Sequence, residues 1–285
     1  MGRSHIELAV SAEPSAFDAI TGLLSIEGFQ GFWEDGGTLR AYIGDDGWDA
    51  GRLETIRGNL RRITDSLSLP PPGVTTTGIA YQNWNRAWEE TIRPIRVTDR
   101  IVVAPTWHPF TGRADEIVLT IDPKMSFGTG YHESTRLMLG LIETRLTPGV
   151  RFLDAGTGTG ILAIAAVRLG AASAVGFDTD EWSFENAVEN ARLNGVADRV
   201  AIRLGDIAIV TETAFGLIAA NIQKNVIVEM LPGLVSRLSP GGTLLLSGLL
   251  AGDAGPMGRT LGEAGLTVAE ERRDGEWIAL AAARS

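Results

Sequence analysis

Val150-Arg151-Phe152-Leu153-Asp154-Ala155-Gly156-Thr157-Gly158-Thr159-Gly160-Ile161-Leu162-Ala163-Ile164-Ala165-Ala166 decides the fold. A short apolar run ends in Asp154, glycine follows at three alternate positions, and an Ala/Ile/Leu run with helical spacing comes next. The pattern is strand, tight turn, helix. Glycine permits positive φ and lets a ligand approach the main chain, while the first N–H groups of the helix point toward that ligand. Glycines also serve plain helix–strand packing, so the turn alone does not establish a site. Ser173-Ala174-Val175-Gly176-Phe177-Asp178 adds a second apolar strand ending in an acid, 18 residues beyond Gly160. That is close to the interval of about 20 at which a ribose-binding carboxylate follows such a turn. The layout is a nucleoside site in a doubly wound sheet.

The spacing narrows the nucleoside. Dinucleotide sites favour G-x-G-x-x-G, whereas here Asp154 leads Gly156, Gly158 and Gly160 at every second position. A carboxylate at the strand end repels a pyrophosphate and suits a cationic ligand with a free amino group. The stretch resembles the first motif of Rossmann-like S-adenosylmethionine-dependent methyltransferases. That resemblance implies that Asp178 holds the ribose hydroxyls and that the glycine turn cradles the methionine part.

Composition sets bounds. The chain has 285 residues, enough for one large or two ordinary domains, and 44% hydrophobic content, ample for a core. No window approaches a membrane span, and the first residues lack the apolar stretch of a signal peptide. With no cysteine, disulfides, thiolate metal sites and cysteine nucleophiles are excluded. A cytoplasmic enzyme is the simple reading. A formal net charge of −10 argues against broad nucleic-acid binding. It favours basic protein partners and cationic ligands by steering, or serves only solubility.

Taken in order, Ile6 to Val10 reads as a strand, Pro14 to Ile26 as a helix, and the segments flanking Asp35-Gly36-Gly37 as a hairpin. Trp48 to Leu67 reads as a helix and Val74 to Tyr81 as a further strand. The order β-α-β-β-α-β is ferredoxin-like. Arg57, Arg61 and Arg62 form a basic cluster on the second helix, read as a solvated face. Pro70-Pro71-Pro72-Gly73 stops that helix. Domain boundaries follow: residues 1–70 as a small α+β recognition module, 71–92 as linker, and 93–285 as an α/β catalytic domain. Asn83 to Glu90, with Trp84 and Trp88 on one face, reads as a short helix or turn. Beyond Asp178 come a helix to Asn194 and strands at Val200–Leu204, Phe215–Ala220 and Thr243–Ser247, with a closing pair at Leu266–Ala269 and Trp277–Ala282. With the two strands around the glycine turn, that makes a seven-stranded sheet. Asp206, after the third of these strands, suits either a hydrogen bond to an adenine amino group or plain loop solvation.

Asp122-Pro123-Lys124-Met125-Ser126-Phe127-Gly128-Thr129-Gly130-Tyr131-His132-Glu133-Ser134-Thr135 is dense in glycine, hydroxyls and aromatics just upstream of the glycine turn. It reads as a loop that closes over a ligand. With Trp84-x-x-x-Trp88, the glycine turn, Ala220-Asn221-Ile222 and Ser247-Gly248, it resembles the PrmA family, the methyltransferases of large-subunit ribosomal protein eleven. The likeness is dense from Trp84 to Leu250 and thinner outside. It implies S-adenosyl-L-methionine as donor, S-adenosyl-L-homocysteine as product, and cofactor contacts from Thr135, Gly156, Asp178 and Asn221. It places Phe127 on the closing loop against the cofactor, with Asp154, Gly158 and Gly160 completing the turn. The chain departs from the family at Glu133-Ser134, at Thr157 in place of a usual cysteine, and at Gln223-Lys224. Those departures bear on the acceptor channel.

Methyl transfer from a sulfonium needs no metal and no covalent intermediate, only alignment and exclusion of water. Asn221 can accept amine N–H bonds through its side-chain oxygen but cannot be a base. His132 is either a base or structural. The implied activity is N-methylation of lysine ε-amines, and of an N-terminal amine, on the ribosomal protein. Alternatives are a same-fold methyltransferase with another amine acceptor, a nicotinamide-dependent oxidoreductase, or a non-catalytic nucleoside-binding module. Neither nucleic acid nor membrane is an expected partner. The sequence leaves the oligomeric state open, with a monomer as the simple expectation.

Overall fold

The computed structural model describes residues 5–44, 48–79, 92–124 and 126–284. The chain divides into two compact units, Met1–Ala87 and Trp88–Ser285. In the first, β1 (His5–Ser11), α1 (Phe17–Ile26), β2 (Gln30–Asp35), β3 (Thr38–Gly44), α2 (Ala50–Ser66) and β4 (Gly73–Ile79) follow one another. The sheet order is β2-β3-β1-β4, and every pairing is antiparallel. That is the ferredoxin-like arrangement read from the pattern. Leu8, Val10, Leu39 and Ala41 on the strands bury against Ile20 and Leu24 of α1 and Ile56 and Leu60 of α2. Asp49 caps α2 by accepting from Arg52 N (2.8 Å). Pro14–Ala16 forms a separate 3₁₀ turn ahead of α1.

The linker boundary needs correction. Gly73–Ile79, placed in the linker by the 71–92 division, is β4, paired with β1 along its length. The proline run stops α2 without ending the domain. Asn83–Glu90, with Trp84 and Trp88, lies outside the described residues.

The second unit begins with a three-stranded sheet of β5 (Ile95–Arg96), β6 (Ile101–Ala104) and β7 (Ile117–Thr120). Then come α3 (Glu133–Arg145), β8 (Arg151–Ala155), α4 (Ile161–Arg168), β9 (Ser173–Asp178), α5 (Glu181–Leu193), β10 (Val200–Leu204), β11 (Phe215–Asn221), α6 (Lys224–Arg237), β12 (Leu238–Leu250), α7 (Ala254–Glu263), β13 (Leu266–Asp274) and β14 (Trp277–Arg284). The seven-stranded sheet runs β10-β9-β8-β11-β12-β14-β13. Its first five strands are parallel, and β14 is antiparallel to both neighbours.

Alternation along the strands feeds two cores. Phe152, Leu217, Ala219 and Leu245 face α3 and α4. Leu153, Ala155, Ile218 and Leu246 face α6 and α7. Strands buried on both faces read as continuous apolar runs. Strand order reverses between β8 and β11, and an open α/β sheet binds ligands at the carboxyl ends of such a pair. Helix α6 stops at Arg237, before Pro240-Gly241-Gly242. Those three residues lie instead in an irregular stretch of β12, where the register against β11 jumps from Leu238 to Thr243.

Phe152 is fully buried in the strand that ends at the reversal. Phe152→Ala is expected to lower unfolding free energy by about 3–5 kcal/mol, read from denaturant melts. A loss below about 1 kcal/mol would contradict its place in the core.

Candidate functional site

The glycine turn is held by protein groups on all sides. Gly156 has φ +71°, and a Cβ there would lie 2.3 Å from the Ile222 side chain. Gly158 has φ +54°, and a Cβ there would lie 2.3 Å from the carbonyl oxygen of Phe127. Both positions exclude side chains on backbone and steric grounds. Gly160 caps α4 and packs on Ala187 of α5, 3.1 Å from the space a Cβ would fill. The glycines therefore admit the chain's own segments.

The Asp122–Gly130 loop is docked on this turn. Thr159 N donates to the Phe127 carbonyl (2.9 Å), and Thr159 Oγ1 donates to the Gly128 carbonyl (2.7 Å). The Phe127 ring remains about half exposed and meets His132 edge-on at 5.2 Å, and His132 in turn meets Trp277 at 4.6 Å. The end of the predicted loop is helical, since α3 starts at Glu133. His132 caps it, its Nδ1 accepting from Ser134 N (3.2 Å) and lying 2.8 Å from Ser134 Oγ.

Asp178, at the end of β9, accepts from Gly158 N at Oδ2 (2.9 Å) and from Asp180 N at Oδ1 (3.1 Å). Each oxygen keeps a lone pair for a further donor. Asp206 is exposed and accepts from Ala208 N (2.8 Å), capping a short 3₁₀ turn at Ile207–Ile209. Thr135 is buried in the first turn of α3 and sits 3.5 Å from Asn221 Nδ2. Asn221 ends β11, and its Oδ1 is buried with no hydrogen-bond partner. Ile222, next in sequence, is wedged between glycines: its side chain fills the space beside Gly156, and its carbonyl lies 2.2 Å from where a Cβ on Gly248 would be.

Asp154 is fully buried. Oδ2 accepts from Thr157 Oγ1 (2.7 Å) and Ala163 N (3.2 Å), while Oδ1 has no hydrogen-bond partner. Thr157, where the family usually has cysteine, supplies the stronger hydroxyl donor. Burial pushes the Asp154 carboxyl up to about 7, and the nearby Asp178 charge adds to the shift. The departure at Gln223-Lys224 is likewise local: these residues open α6, and Lys224 Nζ pairs with Asp253 (2.6 Å).

Sequence reasoning missed a row of buried asparagines on α5. Asn186 Nδ2 donates to the Asp122 carbonyl (2.8 Å). Asn190 accepts from Asp122 N (3.0 Å) and donates to the Thr159 carbonyl (2.9 Å). Asn194 accepts from Thr120 N (2.9 Å) and donates to its carbonyl (2.7 Å). The available signal was asparagine at four-residue spacing inside a helix, where it is a poor former.

Asp154 gives a pH test. Its folded-state pKa lies above the unfolded value of 3.8. Between about pH 4 and about pH 7 the folded chain therefore holds a proton that the unfolded chain releases. Stability falls as pH rises through that window and levels off above it, by an amount on the order of a few kcal/mol. Thermal melts from about pH 5 to about pH 8 should show this decline, and Asp154→Asn should flatten it. An identical slope in the variant would reject the assignment.

Comparison with known proteins agrees with this geometry. The family described as "Ribosomal protein L11 methyltransferase (PrmA)" matches residues 48–285. A ribosomal protein L11 methyltransferase of Chlorobaculum parvum is 37% identical over 281 residues, 96% of this chain and 95% of that one. One from Pelobacter propionicus is 40% identical over 253 residues, 85% and 80% of the two chains. The crystal structure of a ribosomal protein L11 methylase from Lactobacillus delbrueckii subsp. bulgaricus superposes with a TM-score of 0.64 at 31% identity, covering 68% of this chain and all of that one. By sequence and by fold, the chain belongs to the ribosomal protein L11 methyltransferase family.

Proposed function

We propose that the cleft between β8 and β11 binds S-adenosyl-L-methionine and that the protein methylates ribosomal protein L11 on lysine ε-amines and an N-terminal α-amine. One observation carries the reading: Asp154 Oδ1 and Asn221 Oδ1 are buried acceptors without donors, at the ends of the two strands flanking the reversal. Buried acceptors left unpaired are costly, and N–H groups brought by the donor to Asp154 and by the acceptor amine to Asn221 would satisfy them. The residues present thus fit the donor. Asp154 Oδ1 would take its amino group and Asp178 its ribose hydroxyls. Thr135 holds the Asn221 amide, and Phe127 covers the rim. Asp206 is left to solvent and to its own cap.

When bound, S-adenosyl-L-methionine supplies a methyl group on positively charged sulfur. The protein's part is geometric. Asn221 Oδ1 accepts one N–H of the incoming amine, which points the nitrogen lone pair toward the donor side of the cleft. The amine must arrive neutral, although its ordinary pKa is about 10.4. Desolvation under the loop beside a cation lowers it, and the proton passes to solvent before transfer. The net charge of −10 steers a basic protein toward this surface. The ferredoxin-like unit serves acceptor recognition. Among the described residues no helix is long and apolar enough to cross a membrane.

Three outcomes test the reading. Purified L11 with labelled donor should take up label, and no transfer would reject this acceptor. Asp178→Asn should weaken S-adenosyl-L-homocysteine binding in calorimetry by about 1.5–3 kcal/mol, with unchanged affinity rejecting the ribose role. Asn221→Ala should lower kcat by about tenfold to a hundredfold. The same change should leave the thermal midpoint unchanged or raised, since it deletes a buried orphan oxygen. Full activity would remove Asn221 from the mechanism.

A further inference from the structure

Asn190 is fully buried near the C-terminal end of α5 and uses both ends of its amide. Its Oδ1 accepts from Asp122 N (3.0 Å), and its Nδ2 donates to the carbonyls of Thr159 (2.9 Å) and Asp122 (3.3 Å). Asp122 is where the overhanging loop leaves the β7 segment. Thr159 is in the glycine turn and grips the middle of the same loop through the Phe127 and Gly128 carbonyls. One side chain therefore spans the start of the loop and the turn beneath it. A side chain of this length offering a donor and an acceptor on one plane is an amide; leucine or aspartate would leave at least one of these backbone groups unpaired.

From this we infer that Asn190 is a positioning residue of the methyl-transfer reaction, fixing the Phe127-bearing loop to the turn that faces the donor. The inference rests on the reading of the cleft as a donor site. Asn190 touches neither donor nor acceptor and acts through Thr159. Asn194, one turn further along, makes the same kind of amide-to-backbone bonds but holds Thr120 of β7. It also donates to the Asn190 backbone carbonyl (2.8 Å) but bonds neither the loop nor the glycine turn, so it is the control for a clamp of the same type. Asn186 shares the Asp122 carbonyl with Asn190, and its own Oδ1 is buried without a partner, so it cannot replace the bond to Thr159.

The experiment compares Asn190→Ser, Asn194→Ser and Thr159→Val in the full chain. Thermal midpoint is measured together with kcat/KM for the donor at saturating L11. Both serine variants should lose thermal stability, but Asn190→Ser should lower donor kcat/KM by about tenfold or more relative to Asn194→Ser. Thr159→Val, which removes only the hydroxyl bond to the Gly128 carbonyl, should shift kcat/KM the same way. Equal kcat/KM in the two serine variants would show a purely structural role and overturn the inference. Should Asn190→Ser fail to fold, Thr159→Val decides alone, and wild-type kinetics there would overturn it. Wild-type protein that binds no S-adenosyl-L-homocysteine would instead sink the donor reading, which keeps the two failures apart.

Discussion

The carbonyl oxygen of Phe127 occupies the place that a side chain on residue 158 would need. That close approach is secured by the bond from Thr159 N (2.9 Å). Three features follow. Residue 158 must be glycine. Its N–H is turned to Asp178, which fixes the carboxylate at the end of β9. And the loop carrying Phe127 lies over the carboxyl ends of the strands rather than out in solvent. A turn read from sequence as a ligand cradle is thus a seat for the chain's own backbone.

Much of this was legible because it is local. Strand, glycine turn, helix, strand and acid follow from hydrophobic period and turn chemistry within about thirty residues. The boundary at residue 70 failed because proline reports on its own position and not on what comes next. Pro70-Pro71-Pro72 ends α2, yet β4 starts at Gly73 and completes the sheet beside β1. The asparagine row was invisible for a different reason. Asn190 and Asn194 hold backbone of Asp122 and Thr120, 68 and 74 residues away in sequence. No periodicity within α5 names such partners, and asparagines alternating with glutamates read as a wet helix face. The buried state of Asp154 was equally hidden, since a strand-end acid looks alike whether it faces a ligand or the core.

Among the described residues, two buried acceptors without donors, Asp154 Oδ1 and Asn221 Oδ1, lie at the ends of adjacent strands, while others belong to Ser126, Asn186 and Glu116. The buried amides of Asn190 and Asn194 are fully paired. Local conflict between burial and hydrogen bonding is a mark of function more than of folding. Burial, with the Asp178 charge adding to it, raises the Asp154 carboxyl to about 7.

The two sides of the strand reversal then differ in a way the proposed reaction would require. Acidic side chains, Asp154 and Asp178, lie at the carboxyl ends of β8 and β9, where the proposed donor would sit. On the β11 side the strand ends in an amide, Asn221. A carboxylate there would favour the ammonium form of an incoming lysine and raise its pKa, holding the proton that must leave. A neutral oxygen still accepts an N–H and orients the nitrogen without that penalty.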